Sequence, residues 1–218
     1  MKIIDLSCTY KSGQIAGNPE RHPKVALKRM GKIEEAGFNT SSLLLGSHTG
    51  THIDAPRHFF ADGPAVDKLD LALCCGPVTV IDFRRFQAGS CVTKQDVTGL
   101  PVSERMLFVF GWDQYYDTPQ YQTNWPYFSL DAVQFLFEQG MRLMVLDTLS
   151  PDCAAKGRKE DFQIHKTFFP KGVTFVELIV NTKEIDFSTN YYLFALPLKL
   201  QGLDGSPCRV ILAADIHS

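Results

Sequence analysis

The stretch Ser47–Phe59, SHTGTHIDAPRHF, constrains the fold of this chain more than any other. It follows the apolar run Leu43-Leu44-Leu45 and holds three of the six histidines. Thr49, Thr51 and Ile53 are β-branched, Gly50 weakens a helix, and Pro56 would disrupt one in its interior. The segment is therefore expected to be extended and to continue the Leu43–Leu45 strand. Successive side chains of a strand point to opposite faces. His48, Gly50, His52, Asp54, Pro56 and His58 then share one face, with Thr49, Thr51, Ile53 and Ala55 on the other. Any fold must satisfy that polar face.

A divalent metal ion would do so. Two imidazoles and a carboxylate, from His48, His52 and Asp54, make a three-ligand set of the kind that holds catalytic zinc or a similar first-row ion. Three protein ligands leave a coordination position open, whereas structural zinc is more usually closed by four ligands rich in cysteine. Gly50, between the two histidines, would leave room for the ion. His58 lies beyond Pro56, where the chain can bend. It suits a general acid/base, since imidazole titrates near neutrality, and a ligand role is open to it as well.

The rest of the chain sets the frame. Its 218 residues are 44% hydrophobic and 21% charged, which fits one globular domain over residues 1–218. The net charge of -2 and the lack of a long basic run argue against a nucleic-acid or polybasic membrane surface. No stretch approaches the roughly 20 apolar residues of a membrane helix. The opening MKIIDLSCTYKSG is too short in its apolar part for a signal peptide, and Asp5 interrupts it, so a cytoplasmic location is expected. The six cysteines form no C-x-x-C pair and are read as reduced thiols. Buried strands are expected at Lys2–Leu6, Ser42–Leu45, Val78–Phe83, Met106–Phe110, Leu143–Leu146, Tyr191–Leu198 and Val210–Ala213. Ser129 is placed to cap a helix over Leu130–Gln139, Thr93 a short one through Val97, and Pro23–Glu35 is a third helical candidate. Asp204-Gly205-Ser206-Pro207 reads as a turn, and His22 and His217 as surface residues. Strands outnumber helices, which gives a strand-rich α/β class.

Two further features stand out. Glu177 sits inside the apolar run VTFVELIV, and a buried carboxylate is costly unless paired or bound to a metal. An ion, a lysine or an arginine would serve it equally. The loop holding Trp112, Tyr115, Tyr116, Tyr121, Trp125 and Tyr127 could wall an aromatic substrate pocket, form an interface, or simply pack.

H-T-G-T-H-I-D-A-P-R-H, from His48 to His58, resembles the signature of the cyclase family of metal-dependent hydrolases, which includes bacterial kynurenine formamidase and isatin hydrolase. The likeness continues in Gly17–Pro19, Asp147–Asp152, His165–Glu177 and Pro197–Val210. It implies a swivelling β/β/α domain, assembled as a homodimer or homotetramer. It implies that His48, His52 and Asp54 hold one divalent ion, zinc or manganese. It also implies that Asp54, His165 and Glu177 hold a second, with Asp54 bridging and His58 as acid/base. The implied reaction is hydrolysis of an amide-type carbonyl in a small molecule: N-formylkynurenine or a related arylamide, or a cyclic amide such as isatin. A non-catalytic metal-binding module is the rival of another class. Asn18, Leu149 and Leu178 depart from the family pattern at positions other than these ligands.

Overall fold

The computed structural model describes residues 2–14, 22–153 and 162–214. In chain order the strands are β1 (Lys2–Asp5), β2 (Ala26–Gly31), β3 (Thr40–Leu44), β4 (His52–Asp54), β5 (Cys75–Asp82), β6 (Cys91–Val92), β7 (Arg105–Val109), β8 (Tyr127–Phe128), β9 (Leu143–Leu146), β10 (Thr174–Glu177), β11 (Tyr191–Pro197) and β12 (Gly205–Ala214). The helices are α1 (Ile33–Ala36), α2 (Lys94–Val97), α3 (Leu130–Glu138) and α4 (Gln163–Phe168). None is long and apolar enough to cross a membrane.

Eight strands form the main sheet in the order β1-β12-β11-β5-β7-β9-β10-β4. The long β12 also pairs with β4, so seven of them close into a ring and β1 is appended outside it. Strands β5, β7, β9 and β10 run parallel, and the pairings of β4, β11 and β12 are antiparallel. Strict alternation feeds two cores. Leu107, Val109, Leu143, Val145 and Val176 point to one side of the sheet, with Ile53, Leu193 and Leu212. Met106, Phe108, Met144, Leu146 and Phe175 point to the other, where Val133 and Leu136 of α3 and Phe168 of α4 cover them. Both faces of these central strands are buried, which is why their sequences read as continuous apolar runs.

The expected helices hold in part. Residues 130–138 form α3, but Ser129 makes no side-chain cap; its hydroxyl donates to Val92 O instead. Thr93 and Asp96 form a reciprocal capping box on α2. The helix expected over Pro23–Glu35 is corrected: residues 26–31 are β2, paired antiparallel with β3, and only residues 33–36 are helical. Cross-strand hydrogen bonding outweighs a weak helical pattern here. The β2–β3 hairpin stands apart from the main sheet and is exposed along its length, so Ser42–Leu45 is not a buried strand. The turn expected at 204–207 is also corrected, since Gly205, Ser206 and Pro207 are the first residues of β12 and pair with β4.

Phe108 is fully buried between the sheet and the helices. Phe108→Ala is expected to lower unfolding free energy by about 3–5 kcal/mol, which urea denaturation would read.

Candidate metal centre

β4 is only three residues long, and it carries two of the proposed ligands, His52 and Asp54, on one face. β10 lies on one side of it and β12 on the other. Glu177 of β10 stands directly opposite His52, and Gly205 of β12 directly opposite Asp54. A Cβ on Gly205 would come within 2.8 Å of the His48 ring. The glycine therefore makes the room that the imidazole occupies.

His48 does not reach the site by strand alternation. The chain leaves β3 at Leu44, turns through residues 47–50 and re-enters extended backbone at His52. Gly50 has φ +63°, and a Cβ there would lie 2.6 Å from the Tyr10 ring and closer still to Cys8 Sγ. Its glycine is needed for the turn and for close packing, not for space beside an ion, which corrects the reading of a continuous strand. Tyr10 and Thr51 pin this turn: the Tyr10 hydroxyl donates to Thr49 O at 2.9 Å, and Thr51 Oγ1 donates to Leu178 O at 2.6 Å. His58 lies on the single turn Pro56–His58, off the strand.

The result is a buried convergence. Asp54 Oδ1 lies 2.6 Å from His48 Nδ1 and 3.1 Å from His52 Nε2, while Asp54 Oδ2 lies 3.3 Å from His165 Nε2. Glu177 lies 3.5 Å from His52 Nε2 and 3.4 Å from His165 Nε2. All five residues are buried. Potential ligand atoms of His52, Asp54 and Glu177 lie within 4.8 Å of one another, as do those of His48, Asp54 and His58. The structure thus brings together His48, His52, Asp54, His165, Glu177 and His58, and Asp54 stands between both groups.

The outward nitrogen of each inner imidazole is occupied. His48 Nε2–H donates to Asp204 Oδ2 at 2.7 Å, His52 Nδ1–H to Gly50 O at 2.8 Å, and His165 Nδ1–H to Asp152 Oδ2 at 2.6 Å. The Gly50 carbonyl can only accept, which fixes the His52 tautomer; His48 and His165 meet carboxylates at both nitrogens. Rings neutralised with the proton kept on these outward nitrogens would present the lone pairs of His48 Nδ1, His52 Nε2 and His165 Nε2 to the Asp54 and Glu177 oxygens. Among the described residues, Asp54 Oδ1 and Glu177 Oε1 have no hydrogen-bond partner. Lone pairs aimed at lone pairs in a buried site require a cation between them. In the ion-free protein, protons take that part. Burial opposes charge on His48, but Asp54 and Asp204 outweigh it and carry its pKa to about 10. Burial opposes charge on His165 too, yet Asp152, Asp54 and Glu177 hold it protonated well above the usual range. Burial and the neighbouring Asp54 push Glu177 up, against His165 and His52. The donor set fits one divalent ion, or two sharing Asp54.

Sequence reasoning missed three residues. Asp152 orients His165 and also accepts the backbone N–H of Ile164 at 2.9 Å, tying α4 to the site. Asp204 was read only as a turn. His22, read as a surface residue, lines the pocket 6.0 Å from the His48 ring. Its partial burial, then the nearby His48, His52 and His58, depress its pKa to about 4. His217 and Gly17–Pro19 lie outside the described residues. Among the aromatic residues of the 112–127 loop, Trp112 and Tyr121 are core, and Trp125 also lines the pocket. Leu178 holds φ +57°, a left-handed conformation that a leucine rarely adopts; its buried side chain packs in the core.

A cavity of about 310 Å³ opens onto this centre, walled by Phe59, Trp125, Leu149 and Phe162. The family model described as "Putative cyclase" matches residues 4–153. The chain belongs to the cyclase family. It is 30% identical to kynurenine formamidase of Bacillus cereus (strain ATCC 10987 / NRS 248) over 181 residues, 83% of each chain. A solved structure of a potential metal-dependent hydrolase with cyclase activity superposes with a TM-score of 0.79 at 26% identity, covering 100% of this chain and 99% of the other. Isatin hydrolase A from Labrenzia aggregata shares the fold, with a TM-score of 0.83 at 22% identity over 97% of this chain and 93% of its own. The family-model match ends at residue 153; His165, Glu177 and Asp204 lie beyond it and reach this centre through the fold.

Zinc added back to chelator-treated protein is expected to raise its Tm, by mass action on the folded state. Glu177→Gln should lose most of that gain while leaving the ion-free protein at least as stable, because it removes a buried like charge beside Asp54. Differential scanning fluorimetry with and without zinc reads both.

Proposed function

We propose that this cyclase-family chain is a metal-dependent hydrolase of an amide-type carbonyl whose nitrogen is borne by an aromatic ring, with N-formylkynurenine the first candidate substrate. One observation carries the reading: three imidazoles and two buried carboxylates converge at an aromatic-walled cavity. The 30% identity to kynurenine formamidase supports the substrate class. A cyclic amide such as isatin is the second reading, drawn from the fold shared with isatin hydrolase. A cavity of about 310 Å³ suits a small arylamide.

His48, His52 and Asp54 would hold one ion, and Asp54, His165 and Glu177 a second. Zinc and manganese both accept imidazole with carboxylate. A bound ion supplies Lewis acidity, which activates water near neutral pH and polarises a carbonyl. The protein does the rest. Phe59, Trp125 and Phe162 present flat apolar surface to an aromatic ring. His58, one-third exposed at the cavity, takes the proton lost by the attacking water and returns it to the nitrogen as the carbon–nitrogen bond breaks.

We also propose that residues 1–218 act as one cytoplasmic domain that assembles with copies of itself into a homodimer or homotetramer. Met30, Phe38 and Leu43 of the hairpin region are 63%, 60% and 69% exposed, and Leu27, Ile33 and Leu44 beside them are exposed too. An apolar surface of this kind is a normal mark of an interface. Phe38→Asp combined with Leu43→Asp is expected to give monomers by analytical ultracentrifugation.

Protein purified without chelator or a metal-affinity column should carry one to two divalent ions per chain by elemental analysis. His58→Ala is expected to keep the metal and slow hydrolysis of N-formylkynurenine by about 10²–10⁴-fold. His52→Ala and Asp54→Ala should lose both metal and activity. Metal loss in His58→Ala would make His58 a ligand instead. A full metal complement with no turnover of N-formylkynurenine or isatin would favour a non-catalytic module.

A further inference from the structure

We propose that Asp204 is a positioning residue for His58, and that one of its oxygens sets both the acid/base histidine and the ligand histidine His48. Asp204 Oδ2 accepts His48 Nε2–H at 2.7 Å and lies 3.4 Å from His58 Nδ1. The two rings are in tilted contact, with centroids 3.9 Å apart and planes 35° off parallel. Phe59 meets the same ring edge-on at 4.6 Å. These contacts define the place of His58, whose own backbone is a single short turn with no strand to hold it.

The carboxylate itself is well anchored. It sits at the residue before β12, and its backbone carbonyl accepts the Ala55 N–H at 2.9 Å. Gly205, next in the chain, pairs with Asp54. Asp204 is therefore held to the segment that carries Asp54, Ala55 and His58 by the sheet rather than by sequence proximity. His48 and His58 hold its carboxyl well below the usual range.

The chemical consequence lies in the tautomer. A neutral His58 that donates Nδ1–H to Asp204 has its basic lone pair on Nε2. Without the carboxylate, neither the tautomer nor the ring plane is specified by a polar contact. Asp204 then decides which nitrogen accepts the proton from water, and keeps it in register with the centre through His48.

The inference rests on the hydrolase reading, and two measurements separate their failures. Asp204→Asn is nearly isosteric. In the zinc-loaded enzyme acting on N-formylkynurenine it is expected to lower kcat by about 10–100-fold, with KM and bound zinc unchanged. In a His58→Ala background the same substitution should leave kcat nearly unchanged, because its partner is already gone. An equal loss in both backgrounds, at equal bound zinc, would mean that Asp204 acts only through His48 and would overturn the proposal. So would an unchanged kcat in Asp204→Asn. The second measurement needs no turnover: nitrogen-15 NMR of zinc-loaded protein should show neutral His58 protonated on Nδ1, changing to Nε2 in Asp204→Ala. A wild-type His58 protonated on Nε2, or a tautomer indifferent to Asp204→Ala, would overturn the proposal even if neither substrate is hydrolysed.

Discussion

Two carboxylates, Asp54 and Glu177, are buried near one another on adjacent strands, and much of the surrounding structure answers that electrostatic problem. Each has an oxygen that faces imidazole nitrogens and has no other hydrogen-bond partner among the described residues. Among the described residues no lysine or arginine pairs with either; the nearby cation-capable groups are imidazoles. An arginine would satisfy the charge permanently. Imidazoles can give up their protons and present lone pairs instead, so the pocket can exchange protons for a divalent ion.

That exchange works only if the rings are aimed. Each inner imidazole uses one nitrogen inward and the other outward, and the outward partners come from three places: the Gly50 carbonyl, Asp152 and Asp204. Only the first is local in sequence. Asp204 is 156 residues from His48, and Asp152 lies across the segment 154–161 from His165. The pairing of β12 with β4 brings Asp204 to the site, and the joining of β9 to β10 brings Asp152 and Glu177 to the same end of the sheet. Ring closure is therefore a condition of the chemistry as well as of the fold. The two cores on either side of the sheet give it the stiffness to hold rings at hydrogen-bond distance.

The expectations that failed did so for one kind of reason. Pro23–Glu35 has a helical pattern, but residues 26–31 find a partner in β3 and form a strand. The stretch 48–58 alternates in sequence, yet Gly50 at φ +63° breaks the extended backbone, and His48 arrives from a turn. Asp204 belongs to a run rich in turn residues, yet the following three residues extend along β4. In the first and last cases a pairing partner overrode a local preference, and in the second the turn at Gly50 did.

The sequence by itself determined the chemistry at the centre of this protein. His48, His52, Asp54 and His58 are close enough in the chain that any compact path gathers them, and an apolar run around Glu177 requires burial of that carboxylate. The continuous apolar runs at 106–110 and 143–146 likewise define central strands, because residues buried on both faces must be apolar. Tertiary structure decided what has no local signature. It chose Glu177 as the neighbour of His52, Asp152 and Asp204 as the groups that aim the rings, His22 and Trp125 as pocket walls, and an exposed rather than buried place for Leu43. A side chain's partner across the sheet depends on strand order and register, which are set by the packing of the whole chain and not by its neighbours in sequence.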